Sequence, residues 1–334
     1  MAKFSEVLTI VNGRNQKQVV CDDGKYPIYG SGGIMGYAND YICKAETVVI
    51  GRKGSINKPI FVETPFWNVD TAFGLYANSE KLNPKYLYYF CEKFDFEKLN
   101  TTVTIPSLTK SNLLNVEIPL PNLEKQKQIV ELLDKVTRLI FLRKQQLAKL
   151  DELVKARFVE MFGNKDYPRM KWNDVFNTTT GKLDSNTAVD NGKYPFFTCS
   201  KEPLKIDSYA FDQTALLLAG NNAAGKYDVK YYQGKFNAYQ RTYVLSLKHN
   251  WSYKLFQYQL EDKLLYLQTK SLGGLTKYLT LKILGELDFI VPPLALQNEF
   301  AAFVERVDQQ KQTVQQSLEK LELMKKALMQ EYFG

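Results

Sequence analysis

The stretch Lys3–Gly13 reads KFSEVLTIVNG, and a closely similar stretch, KWNDVFNTTTG, occupies Lys171–Gly181. At the same spacing, GKYPIY at 24–29 is matched by GKYPFF at 192–197. Similarity at a constant spacing is typical of internal repeats, and it decides the architecture before any single element is considered.

Further matches extend the repeat along the chain. Ile50–Gly51 aligns with Ala219–Gly220, and KARFVEMFG at 155–163 corresponds to KALMQEYFG at 326–334. The sequence therefore predicts a tandem duplication of one unit of about 165–170 residues, a length typical of a domain.

Each copy begins with a globular part that mixes strands and helices. Short apolar runs between turn residues, such as TVVIG at 47–51 and TYVLSL at 242–247, predict strands. PKYLYYFCEKF at 84–94 and YKLFQYQLEDKL at 253–264 predict a helix at the same place in both copies. The predicted fold class is α+β, with globular domains over 1–121 and 164–292.

Each globular part is followed by a predicted long helix, over 122–163 and 293–334. No Gly or Pro occurs between Pro121 and Gly163, or between Pro293 and Gly334. Apolar residues recur there with heptad spacing. They are Ile129, Leu133, Val136, Ile140, Leu147, Leu150 and Val154 in the first, and Phe300, Val304, Val307, Val314, Leu318, Leu321 and Leu328 in the second. Arg143 and Arg157 interrupt the first pattern, and Lys311 and Lys325 the second. Since the patterns differ, pairing of the two helices with each other is favoured over homodimerisation.

Composition excludes several classes of function. The 334 residues contain one histidine, His249, in a polar loop, so a Ser-His-Asp triad with a spare histidine and most zinc hydrolase sites are excluded. The four cysteines form no CxxC pair, which argues against a zinc ribbon or a disulfide framework and favours a reduced, cytoplasmic setting. No run approaches the roughly 20 apolar residues of a membrane helix, so no membrane association is expected.

Catalytic motifs are also missing. Gly220–Tyr227 approaches a phosphate-binding loop, but Tyr227 replaces the Ser or Thr that would hold magnesium, and the following DVKYYQGKF predicts a strand rather than a helix. The tetrapeptide of base-modifying methyltransferases and a nuclease site are not found. We therefore predict no catalytic residue, no cofactor and no metal.

The net charge of +8 favours a polyanionic partner, and its distribution is informative. The surplus is concentrated in 164–292, with 17 basic against 12 acidic residues, and in 122–163, with 9 against 6. Basic residues alternate with small, polar and aromatic ones in loops at comparable places of both copies.

Lys and Ser or Thr suit phosphate contacts, while Arg, Asn and Gln can read base edges. The candidate DNA-binding residues of the first copy are Arg52, Lys53, Ser55, Asn57, Lys58, Thr102, Ser107 and Lys110. Those of the second copy are Asn221, Asn222, Lys226, Gln240, Arg241, Lys270, Thr276, Lys277 and Tyr278.

Taken together, these features resemble the specificity subunits of type I restriction–modification systems, over essentially the whole chain. The resemblance rests on the two copies, their aromatic starts at Phe4 and Trp172, the repeated GKYP step, and IPLPNLEKQKQI at 118–129 leading into a long helix. The second copy keeps the proline and Gln297 but has Phe300 in place of the isoleucine.

The resemblance implies two target recognition domains, each reading one half of a bipartite, asymmetric sequence in double-stranded DNA. It also implies that the two long helices pack as an antiparallel coiled coil that sets the spacing. Two modification subunits, which methylate adenine with S-adenosylmethionine, would dock on the chain, and restriction subunits would join to cleave DNA with ATP hydrolysis. The chain itself would supply recognition and assembly without catalysis.

Two other interpretations stay open at this point. One is an enzyme subunit whose catalytic half lies in another gene, although the missing motifs argue against catalysis here. The other is a coiled-coil scaffold that binds protein partners and not DNA.

Overall fold

The computed structural model describes residues 1–100, 107–163, 165–223 and 225–334. They form two compact units, Met1–Gln146 with Val314–Gly334, and Leu147–Thr313. Each unit contains one globular repeat and segments of both long helices. No helix in the described ranges combines the length and apolar character needed to cross a bilayer.

The first unit is built mainly from short strands. Its strands are β1 (Ala2–Lys3), β2 (Leu8–Asn12), β3 (Tyr26–Gly30), β4 (Gly33–Ala38), β5 (Thr47–Gly51), β6 (Ile60–Val62), β7 (Trp67–Asn68), β8 (Ala72–Ala77) and β9 (Glu117–Ile118). Its helices are α1 (Phe4–Val7), α2 (Pro84–Lys93), a 3-10 turn (Phe96–Leu99), α3 (Lys110–Leu114) and the start of α4 (Leu123–Phe158). The predicted strand at 47–51 and helix at 84–94 are confirmed.

Two main sheets form in this unit, with strand orders β2-β8-β5-β6 and β4-β3-β7, while β1 pairs with β9. Helix α2 begins where the sequence favours a helix start, since the Asn83 side chain accepts hydrogen bonds from Lys85 N and Tyr86 N and Pro84 follows it. The helix buries Leu87 and Phe90 in the same core as Val48 of β5. Fully burying such side chains contributes roughly 1.5–3 kcal/mol each.

The second unit repeats this plan with longer strands. Its strands are β10 (Arg169–Lys171), β11 (Phe176–Thr180), β12 (Tyr194–Phe197), β13 (Leu204–Ile206), β14 (Phe211–Ala219), β15 (Asn221–Asn222), β16 (Val229–Ala238), β17 (Thr242–Leu247), β18 (Lys277–Tyr278) and β19 (Asp288–Ile290). Its helices are α5 (Trp172–Val175), a 3-10 turn (Ser185–Thr187), α6 (Tyr253–Asp262), α7 (Leu264–Lys270), α8 (Leu281–Gly285) and the start of α9 (Leu294–Phe333). The predicted strands at 242–247 and after Tyr227 are confirmed.

Six strands of the second unit join in one sheet of order β11-β17-β14-β16-β12-β13. Strand β16 is long enough to pair antiparallel with β14 and, at its end, parallel with β12. The α+β prediction is thereby confirmed for both repeats. His249 is exposed, as expected, and its ring lies 4.5 Å from that of Trp251.

The two long helices run antiparallel within each unit. In the first unit, Ile129 and Leu133 share a core with Met329 and Phe333, whereas Arg143 Nε donates to Ser317 Oγ at 3.3 Å. The heptad residues predicted from the sequence are buried or half-buried in both helices.

In the second unit, two ion pairs join the long helices. Lys311 pairs with Asp151 at 2.5 Å, and Arg157 pairs with Glu299 at 2.6 Å. Helix α4 ends in a π-helical turn, Val159–Gly163, whose Phe162 ring packs against Phe300 at 5.7 Å.

A buried glutamine fastens each long helix to its globular part. Gln126 Oε1 accepts from Asn83 N at 2.8 Å, and its Nε2 donates to the carbonyls of Lys81 and Pro121. Gln297 repeats the arrangement, accepting from Ser252 N at 3.0 Å and donating to its own proline carbonyl. These bonds explain why, at the start of both long helices, a glutamine follows five positions after a proline.

Candidate nucleic-acid interface

In the first repeat, the two loops predicted to bind DNA meet. Lys53, just after β5, forms a β-bridge with Ser107, and Leu108 N donates to the Arg52 carbonyl at 2.9 Å. More than fifty positions separate these loops along the chain, so only the fold brings them together.

In the second repeat, the corresponding loops meet through the same contact. Asn221 pairs with Tyr278 and Asn222 with Lys277 in the β15–β18 ribbon, and Leu279 N donates to the Gly220 carbonyl at 2.8 Å. The matching hydrogen bonds make Gly220 the counterpart of Arg52, and Asn221 that of Lys53.

This equivalence corrects one detail of the sequence alignment. The pairing of Ile50–Gly51 with Ala219–Gly220 is wrong by one residue, because Gly51 lies opposite Ala72 while Ala219 lies opposite Thr242. Both segments contain a glycine at this point, Gly51 and Gly220, and aligning these glycines shifts the repeats by one residue. Strand pairing establishes the correct alignment.

A third loop joins the site in both repeats. Arg52 N donates to the Thr71 carbonyl, and Gly220 N donates to the Arg241 carbonyl, each at 2.8 Å. The exposed Gln240 and Arg241 therefore lie beside the β15–β18 ribbon. Sequence reasoning missed the corresponding turn of the first repeat, which the alignment of the repeats could have identified.

A fourth loop, which follows β3 or β12, was also missed. Ser31 in the first repeat approaches Gly51 so closely that a Cβ added to that glycine would lie 3.1 Å from Ser31 Cβ. In the second repeat, the Cys199 thiol donates to Asn221 Oδ1 at 2.7 Å. Neither loop carries a cluster of charge, which is why no sequence signal pointed to it.

In the second repeat these loops enclose a cleft of about 320 Å³. Its lining residues are Ser185, Thr198, Cys199, Ser200, Asn221, Asn222, Ala223, Tyr239 and Thr276. Burial raises the pKa of the Cys199 thiol, so the sulfur keeps the proton that it donates to Asn221.

Some of the candidate DNA-binding residues have side chains that form hydrogen bonds within the protein. Asn57 donates to Asp95 Oδ1 at 2.9 Å and accepts from Phe96 N at 2.7 Å. Lys110 Nζ donates to the Ile10 carbonyl at 2.9 Å, so it too stabilises the loop that carries it.

In the second repeat, Lys277 Nζ donates to the Gly273 carbonyl, and Lys270 lies over the Tyr266 ring at 5.6 Å. The other predicted residues with exposed positions are Arg52, Lys53, Ser55, Lys58, Lys226, Thr276 and Tyr278. Thr102 lies outside the described residues. Over the described ranges, no group of three or more His, Cys, Asp or Glu is arranged to bind a metal.

The family model for the type I restriction modification DNA specificity domain matches residues 1–152 and, again, residues 164–323. This match covers both repeats and most of the chain. The chain therefore belongs to this family. The loop contact that its two repeats share agrees with this assignment.

Curated relatives carry the same description. The EcoDI specificity subunit of a type I restriction enzyme from Escherichia coli is 50% identical over 80 residues, which are 24% of this chain and 17% of that protein. A putative type I restriction enzyme specificity subunit from Haemophilus influenzae is 30% identical over 142 residues, 41% of this chain and 37% of that protein. The matched segments thus span less than half of either relative.

Two solved structures share the fold. The S subunit of a type I restriction-modification system from M. genitalium matches with a TM-score of 0.68 at 18% identity, over 100% of this chain and 95% of that one. A chain from a structure concerned with complex assembly and conformational transition of the type I R-M system matches with a TM-score of 0.54 at 16% identity, over 99% and 96%.

Proposed function

We propose that this chain acts as the specificity subunit of a type I restriction–modification complex and binds double-stranded DNA with one recognition surface on each repeat. The observation that carries the proposal is the shared loop contact, Lys53 with Ser107 and Asn221 with Tyr278, which bears different side chains in the two repeats. Two equally built but chemically different surfaces suit a bipartite, asymmetric target.

The side chains at these contacts support binding to DNA rather than to protein alone. Lysines such as Lys53 and Lys226 suit phosphate oxygens, and Asn222, Gln240 and Arg241 carry the groups that read base edges. A scaffold that binds only protein partners is not supported, because both repeats match a DNA specificity domain.

The recognition domains would comprise 1–121 and 164–292, and the helices over 122–163 and 293–334 would form an antiparallel coiled coil that sets the spacing of the half-sites. Helices of 36 and 40 residues extend about 54 and 60 Å at 1.5 Å per residue, longer than one turn of DNA, about 34 Å. Two modification subunits and the restriction subunits would dock on this frame in the cytoplasm and supply the catalysis that this chain would lack.

The first test is binding of the full chain to a mixed pool of short fluorescent duplexes, followed by anisotropy between 50 and 200 mM salt. A surface with several phosphate contacts should lose affinity by orders of magnitude over this range. Absence of binding at low salt, with and without a modification subunit, would contradict DNA recognition.

Single variants separate the two kinds of contact. Lys53→Ala and Lys277→Ala should weaken binding to all sequences, because they remove phosphate contacts. Arg241→Ala and Asn222→Ala should instead change the preferred sequences recovered from a random duplex library, and an unchanged preference would reject their assignment to base edges.

A further inference from the structure

The cleft of the second repeat is uncharged although it lies among cations. None of its nine lining residues is ionic, and most of them present hydroxyl or amide groups. Lys226 N donates to Asn222 Oδ1 at 3.3 Å, Lys277 pairs with Asn222 across the β15–β18 ribbon, and the Arg241 carbonyl accepts from Gly220 N. These contacts place three basic residues beside a neutral polar floor, and one acid, Asp184, also lies at its border, where it accepts from Gln240 Nε2 at 3.3 Å.

This arrangement separates two kinds of contact with nucleic acid. Phosphates attract cations from any sequence, whereas base edges are distinguished by the pattern of neutral donors and acceptors that they meet. A neutral polar cleft bordered by lysines and an arginine therefore fits a base edge at its centre and phosphates at its rim.

The walls of the cleft are held in place before any ligand binds. The Cys199 thiol donates to Asn221 Oδ1 at 2.7 Å, and Ser200 N donates to Thr198 Oγ1 at 3.2 Å. With its oxygen engaged by the thiol, the Asn221 amide has a defined orientation, and its Nδ2 has no partner among the described residues. Polar groups held in this way lose less entropy on binding than free ones.

The first repeat has a different surface at the same place. Gly30, Ser31 and Gly32 correspond to Thr198, Cys199 and Ser200, because the two GKYP strands align without a gap. Lys53 stands where the second repeat has Asn221. The first repeat therefore offers a cation and little side chain where the second offers neutral donors and acceptors.

We propose that the neutral cleft of the second repeat discriminates among bases in the half-site that this repeat binds, and that Cys199 is a positioning residue that orients Asn221 within it. This inference rests on the proposed function, since it assumes that the second repeat contacts duplex DNA.

The test is selection from a library of duplexes with randomised positions by the full wild-type chain, repeated with the double variant Ser200→Ala/Thr276→Val. We expect the variant to lose about tenfold discrimination at one or two neighbouring positions, because two hydroxyls of the cleft are removed. Its salt dependence should stay unchanged. Ser208→Ala/Ser246→Ala, which removes two hydroxyls of the same repeat outside the cleft, is the matched control and should keep the wild-type preference.

Lys226→Gln provides the opposite contrast, because it should reduce affinity severalfold for all duplexes while keeping the preference. If the cleft variant recovers the wild-type consensus at full strength, the inference is wrong, although DNA recognition by the chain stands. If the wild-type chain retains no duplex at low salt, the proposed function itself fails.

Cys199 has its own pair of variants. Cys199→Ala should lose discrimination at the positions affected by the cleft variant, whereas Cys199→Ser should restore it, since a serine hydroxyl can also donate to Asn221 Oδ1. A purely structural role would lower the melting temperature of Cys199→Ala without altering base preference. Equal preference in Cys199→Ala and the wild type would overturn the positioning role.

Discussion

The two repeats share a plan but build their sheets differently. In the second, the continuous strand β16 joins six strands in one sheet, whereas in the first its counterparts β6 and β7 belong to separate sheets. By strand pairing, Pro65 occupies the position of Lys235, and proline, with φ held near −65°, is disfavoured inside a strand. Pro65 therefore lies where the first repeat interrupts this strand, and Glu46, with φ of 58°, lies in the segment just before β5.

The loops differ more than the frame does. Leu108 and Leu279 make the same backbone bond in the two repeats, yet the residues that receive it are Arg52 and Gly220. The comparison teaches that the contacts which bring the loops together use backbone atoms, so the side chains beside them are free to change. A duplicated scaffold can therefore present two different surfaces.

The largest loss of stability is expected from removing a contact that both repeats share, the glutamine that bonds each long helix to its globular part. Gln126→Ala should lower the free energy of unfolding by about 2–4 kcal/mol, because it leaves the half-buried Asn83 N–H and two carbonyls without partners. Gln297→Ala should cost less, since one fewer bond is lost. Thermal unfolding and hydrogen exchange of the Asn83 and Ser252 amides measure both effects. The exposed Gln128→Ala serves as the control, and an equal loss there would refute the anchoring role.

The next prediction tests the difference between the sheets. Lys235→Pro should split β16 as Pro65 splits its counterpart and destabilise the second unit by about 2 kcal/mol. Lys235→Ala removes the same side chain, including its contact with the Tyr209 ring, but keeps a strand-compatible backbone. Calorimetry should find the proline variant clearly less stable than the alanine variant, and equal stability would mean that the proline does not cause the split.

A smaller effect, on the salt dependence of DNA binding, is expected from exchanging the equivalent loop residues Lys53 and Asn221 between the repeats. Lys53→Asn gives the first repeat the residue of the second, and the slope of log K against log salt should become shallower by about one unit. The reverse exchange, Asn221→Lys, should make the slope steeper and relax base preference. Fluorescence anisotropy at several salt concentrations measures both, and slopes equal to that of the wild type would place these residues away from phosphates.

The smallest expected effect concerns acid. The Arg169 guanidinium donates a hydrogen bond to Asp288 at 2.8 Å and holds the pKa of that carboxyl below its ordinary value. Because the pKa is lower in the folded state, the pair stabilises the fold above the unfolded pKa of about 3.9, and the contribution disappears as pH falls through the folded pKa. The effect should be small because solvent screens both side chains.

Carbon NMR titration of Asp288 in the wild type and in Arg169→Gln measures this shift. The pKa of Asp288 should rise in the variant, and an identical titration midpoint in both proteins would show that the bond does not form in solution.

Much of the fold could be predicted from local patterns. The apolar runs at 47–51 and 242–247 are strands, and the heptad residues mark the buried faces of α4 and α9, because burial imposes the period of each element on the sequence. A proline at position 65 also indicates an interrupted strand. The difference between the repeats can be predicted from it only once Lys235 is known to occupy the same position in the second repeat.

The candidate site could be predicted only in part. Loops with Lys, Arg and Asn were identified because charge is visible in a sequence, whereas the loops that carry Ser31 and Cys199 have no such signal. Asn57 and Lys110 were selected by residue type alone, and the structure shows their polar atoms bonded within the fold.

The duplication, the α+β class, the two long helices and the resemblance to a family could all be inferred from the sequence, since they depend on repetition and on periodicity along the chain. The three-dimensional fold was needed to show which loops meet, that Gln126 and Gln297 bond the long helices to the globular parts, and that a neutral cleft forms beside Asn221. The physical reason is that these features arise from contacts between residues far apart in the chain, and local spacing carries no information about such pairs.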